Sequence, residues 1–433
     1  MRKVVLIATF LIAGLTTAFA LPPEELQLTL KQAQDHALDY NKQVKNAKLD
    51  VDAAQKKVWE SIASGLPQID AKADYSNYLG ASMTIQFDPN SPPTKIPFAT
   101  TSNVSATVSQ LLFSGSYLVG LQTAKIYKSL SETNYRKSKQ DIKEQVANSY
   151  YLILVSEQTR DILKKNLENM RSTLAKTKQM EKVGMAESTD VDQLSVSVST
   201  LENGVRSADR QVEMAYNMLR FQLGVPGDEK IQLTQTLDGI IDRINFTALM
   251  DSSMSVQRNL DYQLMETQVE LSKKQLALQK SAYLPTLSSY YSHTEKILKP
   301  NFDASPKDVI GLNLSIPIFS SGLRKSKVSQ ANISLEQTEN QKDLLEDQLK
   351  IQEKQLRFNL HNALDKYNSQ KQNVKVALRV NRNFDLKYEH GVASSLERLQ
   401  ANDNYLQAEN NFVGATMELL QAYVAWEKLL NDL

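Results

Sequence analysis

The sequence predicts a mainly α fold, internally duplicated, in which two long antiparallel helical hairpins carry short strands belonging to a membrane β-barrel. Three observations predict it. Landmarks recur in the same order: Leu66-Pro67 returns as Leu284-Pro285, Phe113-Ser-Gly115 as Phe319-Ser-Ser-Gly322, and Gly184-Met185-Ala186 as Gly391-Val392-Ala393. From Gly115 to Gly184 is 69 residues, and from Gly322 to Gly391 is also 69, the mark of a repeated structural unit. The twelve prolines cluster, leaving 121–183 and 323–390 free of both proline and glycine, while segments between the clusters alternate with a period of two.

Residues 1–20 belong to neither copy. Arg2 and Lys3 precede an apolar run from Val4 to Leu15 and a small-residue stretch ending at Ala20, the pattern of a secretory signal peptide. The run is too short for a membrane span, and no later stretch reaches 18 consecutive apolar residues, so a meeting with membrane falls to strands. Without Arg2 and Lys3 the chain carries 48 basic and 49 acidic residues, which predicts no nucleic-acid partner. With no cysteine, disulfides and thiolate metal sites are excluded.

The first repeat is expected over 21–226 and the second over 246–433, joined by a linker at 227–245. Proline in a helix interior costs about 3 kcal/mol, so the two proline-free stretches are free to be continuous helices. At 1.5 Å per residue each makes a rod of roughly 100 Å. The tip glycines near 184 and 391 can take the left-handed conformation that ends a helix. Hydroxyl residues that can cap the next helix follow: Ser188 or Thr189, and Ser394 or Ser395, with Ser394-Ser-Leu-Glu397 fitting a capping box.

The return arms carry a heptad stripe. Leu194, Val198, Leu201, Val205, Ala208, Val212, Ala215 and Leu219 follow one another at spacings of four and three. Shifted by 207 residues the stripe becomes Ala401, Tyr405, Ala408, Phe412, Ala415, Leu419, Ala422 and Trp426, so large residues now alternate with alanine.

Strands are expected at 68–79, 103–113, 286–295 and 308–318. Ile310, Leu312, Leu314 and Ile316 alternate with small or polar residues, as do Val104, Ala106 and Val108. Tyr75, Tyr78, Tyr290 and Tyr291 suit an interfacial aromatic belt. Alternation alone fits soluble hairpins capping the helices as well as a membrane barrel. Four strands cannot close a barrel, and an open edge in lipid leaves backbone groups unsatisfied, so a barrel requires several chains.

In the order, duplication and spacing of these landmarks, together with Asn41 and Asn259 in the first helix of each copy, the chain resembles the TolC-like outer-membrane efflux proteins (outer membrane factors) over residues 25–430. The resemblance implies a homotrimer with one twelve-stranded β-barrel in outer-membrane lipid and a helical α-barrel tunnel in the periplasm. It implies a passive exit duct whose partners are a periplasmic adaptor, or membrane fusion protein, and an inner-membrane transporter of the RND or ABC kind. Loops 80–101 and 297–306 would lie at the cell exterior, and 224–245 in a band around the tunnel's middle.

By distance from the tip glycines, the resemblance carries an acidic pore ring to Glu397 and Gln400, of which only Glu397 is acidic, and an aspartate-to-tyrosine link to Asp190 and Tyr388. An arginine that assists closure in some members falls at Ala393 and is absent. The tips Gly184, Met185, Ala186, Gly391, Val392 and Ala393 would dock the adaptor. Each gate residue also has a structural role open to it: Glu397 in the capping box, Asp190 in the first helical turn, Tyr388 in the coiled coil.

No catalytic, metal or cofactor site is expected. His36, His293, His361 and His390 are scattered without HExxH spacing, and no nucleophile elbow or phosphate loop occurs. A periplasmic adaptor would carry one hairpin inserted in a β domain, and a coiled-coil rod would lack paired strands bounded by prolines. A duct for protein secretion is the alternative within the family, because nothing in the sequence names the cargo.

Overall fold

The computed structural model describes residues 26–86, 88, 91–299 and 303–433, so the expected signal peptide lies outside the described residues. In chain order the elements are β1 (Leu26–Leu28), α1 (Leu30–Tyr40), α2 (Lys42–Ala63), β2 (Gln68–Ser76), β3 (Ser82–Ile85), β4 (Thr94–Pro97) and β5 (Thr101–Ser114). Then follow α3 (Gly115–Lys182), α4 (Ser188–Leu223), β6 (Ile231–Leu233), α5 (Leu237–Ile241), α6 (Phe246–Asp251), a 3-10 turn (Val256–Arg258) and α7 (Leu260–Ser281). The chain ends with β7 (Thr286–Leu298), β8 (Asp308–Ser315), α8 (Leu323–Glu389) and α9 (Ser395–Leu430). The long arms are uninterrupted, at 68 residues for α3 and 67 for α8.

Contacts divide the chain into two compact units, each drawing on both copies. One comprises the described residues up to Tyr40, Gln145–Ile244 and Gln370–Met417. Its core holds the first-copy heptad stripe, buried along α4 except for half-buried Val205. Leu167 and Met170 of α3 pack with Leu194, Val198 and Leu201 of α4, and Leu399 and Leu406 of α9 close over them. Each such side chain contributes about 1.5–3 kcal/mol when fully buried. Towards the other end β1 pairs in parallel with β6, and the buried Tyr150 hydroxyl donates to the Leu28 carbonyl at 3.0 Å. Burial pushes the Tyr150 phenol up to about 12. These three-residue strands are too short to show a period in the sequence.

The other unit comprises Asn41–Glu144, Asn245–Ser369 and Glu418–Leu433. Asn41 and Asn259 prove to be N-caps rather than helix-interior residues. The Asn41 side chain accepts from Gln43 N–H at 2.7 Å, and that of Asn259 from Asp261 N–H at 2.9 Å. Trp426, wholly buried at the end of its stripe, donates to the Leu249 carbonyl at 3.0 Å, while the Arg357 guanidinium lies 5.3 Å from its ring centroid.

This unit also contains an antiparallel four-stranded sheet in the order β2-β5-β7-β8, so residues from both copies share one sheet. Register sorts its two faces. Ile69, Ala71 and Ala73 oppose Val108, Ala106 and Val104, and Val108 opposes Tyr291, which in turn opposes Ile310. A bulge at Leu111/Phe113 adds one residue and brings Phe113 opposite Leu287, which pairs with Leu314 on this same apolar face. The other face carries Asp70, Lys72 and Asp74 and a hydroxyl row from Ser105 to Ser109, with Thr107 hydrogen-bonded to Ser292 at 2.9 Å.

Three sequence expectations change here. Tyr290 and Tyr291 do not share a belt, because successive residues of a strand face opposite ways. Tyr290 lies on the polar face over Gly311, where an added Cβ would come within 2.7 Å of its ring. Strand β2 stops at Ser76, since Leu79 and Gly80 both turn to positive φ, and Tyr78 instead packs on Phe98 at 5.3 Å. Within the expected loop 80–101, β3 and β4 form a hairpin pairing Met83 with Ile96 and ending at Pro97.

Candidate functional site: the hairpin tips and the sheet edges

Each tip is a glycine turn between two helices. Gly184 has φ +77 and Gly391 φ +69, conformations that a side chain strains. Around them Met185 is 72% exposed and Val392 75%, apolar groups held in solvent.

The second tip is capped as expected. Ser394 N–H donates to Glu397 Oε2 at 2.8 Å, and Glu397 N–H donates to Ser394 Oγ at 3.2 Å. The Ser394 backbone N–H, seconded by its hydroxyl, holds the Glu397 carboxyl below the usual range. The first tip departs from expectation: the N-cap of α4 is Glu187, not Ser188 or Thr189. A carboxylate accepts from the free N–H groups of a first turn as a hydroxyl does. The reciprocal member of this box is Asp190, whose Oδ2 accepts from Glu187 N–H at 3.3 Å.

Asp190 and Tyr388 bond different partners. The Asp190 Oδ1 accepts from Ser395 Oγ, which joins the first turns of α4 and α9. The Tyr388 hydroxyl meets Thr177 Oγ1 at 2.8 Å, which joins the last turns of α3 and α8. Beside that bond Lys176 donates to Glu389 at 3.0 Å and holds its carboxyl low. Arg398 lies 5.5 Å from the Tyr388 ring centroid and pairs with Asp385 at 2.8 Å. Gln400 bonds Asn404, one turn along its own helix, at 3.2 Å.

Thr177, Lys176, Glu389 and Arg398 escaped the sequence reading. Thr177 is the wholly buried hydroxyl of a long amphipathic helix, and only its partner 211 residues away marks it out. Ser395 was legible as a cap candidate but not as the partner of Asp190.

The sheet supplies the second candidate site. Among the described residues strands β2 and β8 are each hydrogen-bonded on one side only, and Ile310, Leu312 and Leu314 of β8 are 84%, 72% and 57% exposed. An unpaired edge beside a bare apolar face is a surface built to be covered. Among the described residues no helix is long and apolar enough to cross a membrane.

Comparison with known proteins agrees with this geometry. The family model for outer membrane efflux proteins matches residues 33–225 and 252–432. The outer membrane protein TolC of Salmonella enteritidis is 23% identical over 312 residues, covering 70% of this chain and 61% of that protein. TolC of Vibrio cholerae is 22% identical over 318 residues, 70% of this chain and 68% of that one. The solved outer membrane protein VceC of Vibrio cholerae superposes with a TM-score of 0.73 at 16% identity, covering 93% of this chain and 95% of its own. The outer-membrane channel OprN gives 0.75 at 15% identity, covering 93% and 90%. The chain therefore belongs to the outer membrane efflux protein family.

Proposed function

We propose that the chain is the outer-membrane channel of a tripartite efflux or secretion system, a passive homotrimeric duct that opens at its periplasmic tips. The four-stranded sheet with one apolar face, one polar face and two open edges carries this reading. Three copies join β8 of one to β2 of the next, giving twelve strands with lipid outside and the polar row of Asp70, Lys72 and Asp74 inside. On this reading 1–20 is a cleaved signal peptide, 21–226 and 246–433 are two repeats around the 227–245 linker, and loops 80–101 and 297–306 face the exterior. Family membership supports a channel rather than an enzyme.

At the periplasmic end the gate comprises Asp190 and Tyr388 with the partners described above, and Glu397 and Gln400 ring the pore. The six tip residues Gly184, Met185, Ala186, Gly391, Val392 and Ala393 dock a periplasmic adaptor, which couples the duct to an RND or ABC transporter. Exposed Met185 and Val392 give that contact an apolar centre. A protein-secretion duct uses the same geometry with a different transporter.

Membrane fractionation with native mass spectrometry of the detergent-extracted protein tests this. A trimer from the outer membrane that conducts in planar bilayers is expected. A monomer, or a protein that follows the inner membrane as an adaptor would, overturns the reading.

A further inference from the structure

Strand register assigns the charges of the sheet's polar face one by one. On β2 that face carries Asp70, Lys72 and Asp74, on β7 it carries Lys296, and its β5 and β8 positions are uncharged. Three of these four charges are neutralised within the chain. Lys72 lies 3.0 Å from Asp74 on the same strand, and Lys296 pairs with Asp303 in the segment that follows β7. Asp70 is exposed, and its side chain forms no ion pair or hydrogen bond among the described residues. Lys72 stands between two carboxylates and can neutralise one at a time, so β2 keeps one net negative charge whichever it holds.

Nothing beside Asp70 supplies a base. Opposite it stands Thr107, opposite Thr107 stands Ser292, and these two hydroxyls bond each other at 2.9 Å. Lys307, which precedes β8, is held by Glu295 at 2.7 Å. Because β2 is an edge strand, the β8 of a second copy laid along it would be the next group to reach Asp70. The one charged residue of β8 is Asp308, itself an acid, and it stands opposite His293 on the other face. Closing a barrel through these edges therefore leaves the Asp70 carboxylate unneutralised.

In a symmetric trimer three such carboxylates lie at one level. Twelve strands about 4.8 Å apart and tilted by about 40° enclose a backbone radius of roughly 12 Å, so no point of that cross-section is far from a carboxylate. The Debye length is about 10 Å at 0.1 M salt and about 30 Å at 0.01 M, so in dilute salt the three fields cover the whole opening.

We propose that the barrel lumen favours cations over anions, and that the ring of three Asp70 carboxylates sets this preference. The inference rests on the trimeric duct proposed above and adds its substrate class: positively charged solutes pass this level more readily than negatively charged ones of the same size.

Reversal potentials of the full-length protein in planar bilayers, taken across a potassium chloride gradient, test it. Wild type should show a potassium-to-chloride permeability ratio of about three or more between about 0.01 and 0.1 M salt, falling towards one near 1 M as the charges are screened. Asp70→Asn should lower the ratio about twofold or more in dilute salt, and Asp70→Lys should turn the preference to chloride. Lys72→Gln, which removes the base between the two acids, should raise the ratio, and it decides the matter if Asp70→Asn does not assemble. The proposal is overturned by a wild-type ratio near or below one, by an unchanged ratio in Asp70→Asn, or by an unchanged or lowered ratio in Lys72→Gln. A preference that Glu397→Gln abolishes and Asp70→Asn leaves intact overturns it as well. A conducting trimer with any of these results keeps the duct and loses the Asp70 ring, whereas a protein that forms no trimer or carries no current overturns the duct reading and the ring with it.

Discussion

At the first tip Glu187 caps the helix, and Asp190 both returns that cap and accepts from Ser395 across the hairpins; at the second tip Ser394 caps, and Glu397 accepts from Ser394 within its own turn. The two tips keep equal spans of 69 residues while their capping chemistry has diverged. On the proposed function length is the shared constraint, because hairpins that meet one partner must end at one level. Chemistry is free to differ as long as each first turn has its N–H groups met. The consequence is an unequal division of labour, in which Asp190 joins hairpins and Glu397 closes its own turn.

The largest expected effect comes from breaking the equality of length. Deleting one heptad from α8 alone should stagger the tips and abolish export, read as loss of resistance or of secretion. Matching deletions in α3 and α8 should do less harm. Equal damage from the single and the paired deletion would show that level tips are not what the spacing serves.

Next comes the division between the two acids. Asp190→Ala removes the carboxylate that accepts from Glu187 N–H together with the link to Ser395. Combined with Tyr388→Phe it should raise single-channel conductance severalfold in planar bilayers, whereas Glu397→Ala should leave conductance near wild type. A larger rise with Glu397→Ala would reverse the assignment. Unchanged conductance in the double variant would remove Asp190 and Tyr388 from the gate.

A smaller effect separates the two cross-hairpin bonds. Thr177→Val and Tyr388→Phe each delete one side of the same hydroxyl pair, worth about 1 kcal/mol. The double variant should therefore be no worse than either single one in thermal unfolding. Additive losses would mean that the two hydroxyls act separately.

The smallest expected effect is a pH dependence at the tips. Glu397 and Glu389 both titrate below their ordinary value, the first through Ser394 and the second through Lys176. Groups with depressed folded values stabilise above the unfolded carboxylate pKa and lose that contribution as pH falls through the folded one. Amide protection factors at both tips, corrected for the intrinsic exchange rate, should therefore fall as pH drops below about 4.3, the unperturbed glutamate value. Glu397→Gln should flatten that response at the second tip only.

Much of the architecture was legible because its signals are local. Proline and glycine bounded the long helices, the heptad stripe named the buried face of α4, and alternation named the apolar residues of β5 and β8. Single-residue offsets were harder to read. The bulge at Leu111/Phe113 re-aims Phe113, and the acid cap at Glu187 stands where hydroxyls were expected one residue later. In the candidate site the glycines and the Ser394 box could be read directly, but the partners of Asp190 and Tyr388 could not.

By itself the sequence determined the lengths of the hairpins, their duplication, their turns and which face of each element is apolar, since these follow from periodicity and from the backbone preferences of glycine and proline. Only the tertiary structure decided what each face meets: β5 with β7 across the two copies, Asp190 with Ser395, and Tyr388 with Thr177. The physical reason is range. A side-chain period is set within one or two turns of chain, whereas a hydrogen bond across 205 residues depends on how separate helices pack, which no local spacing encodes.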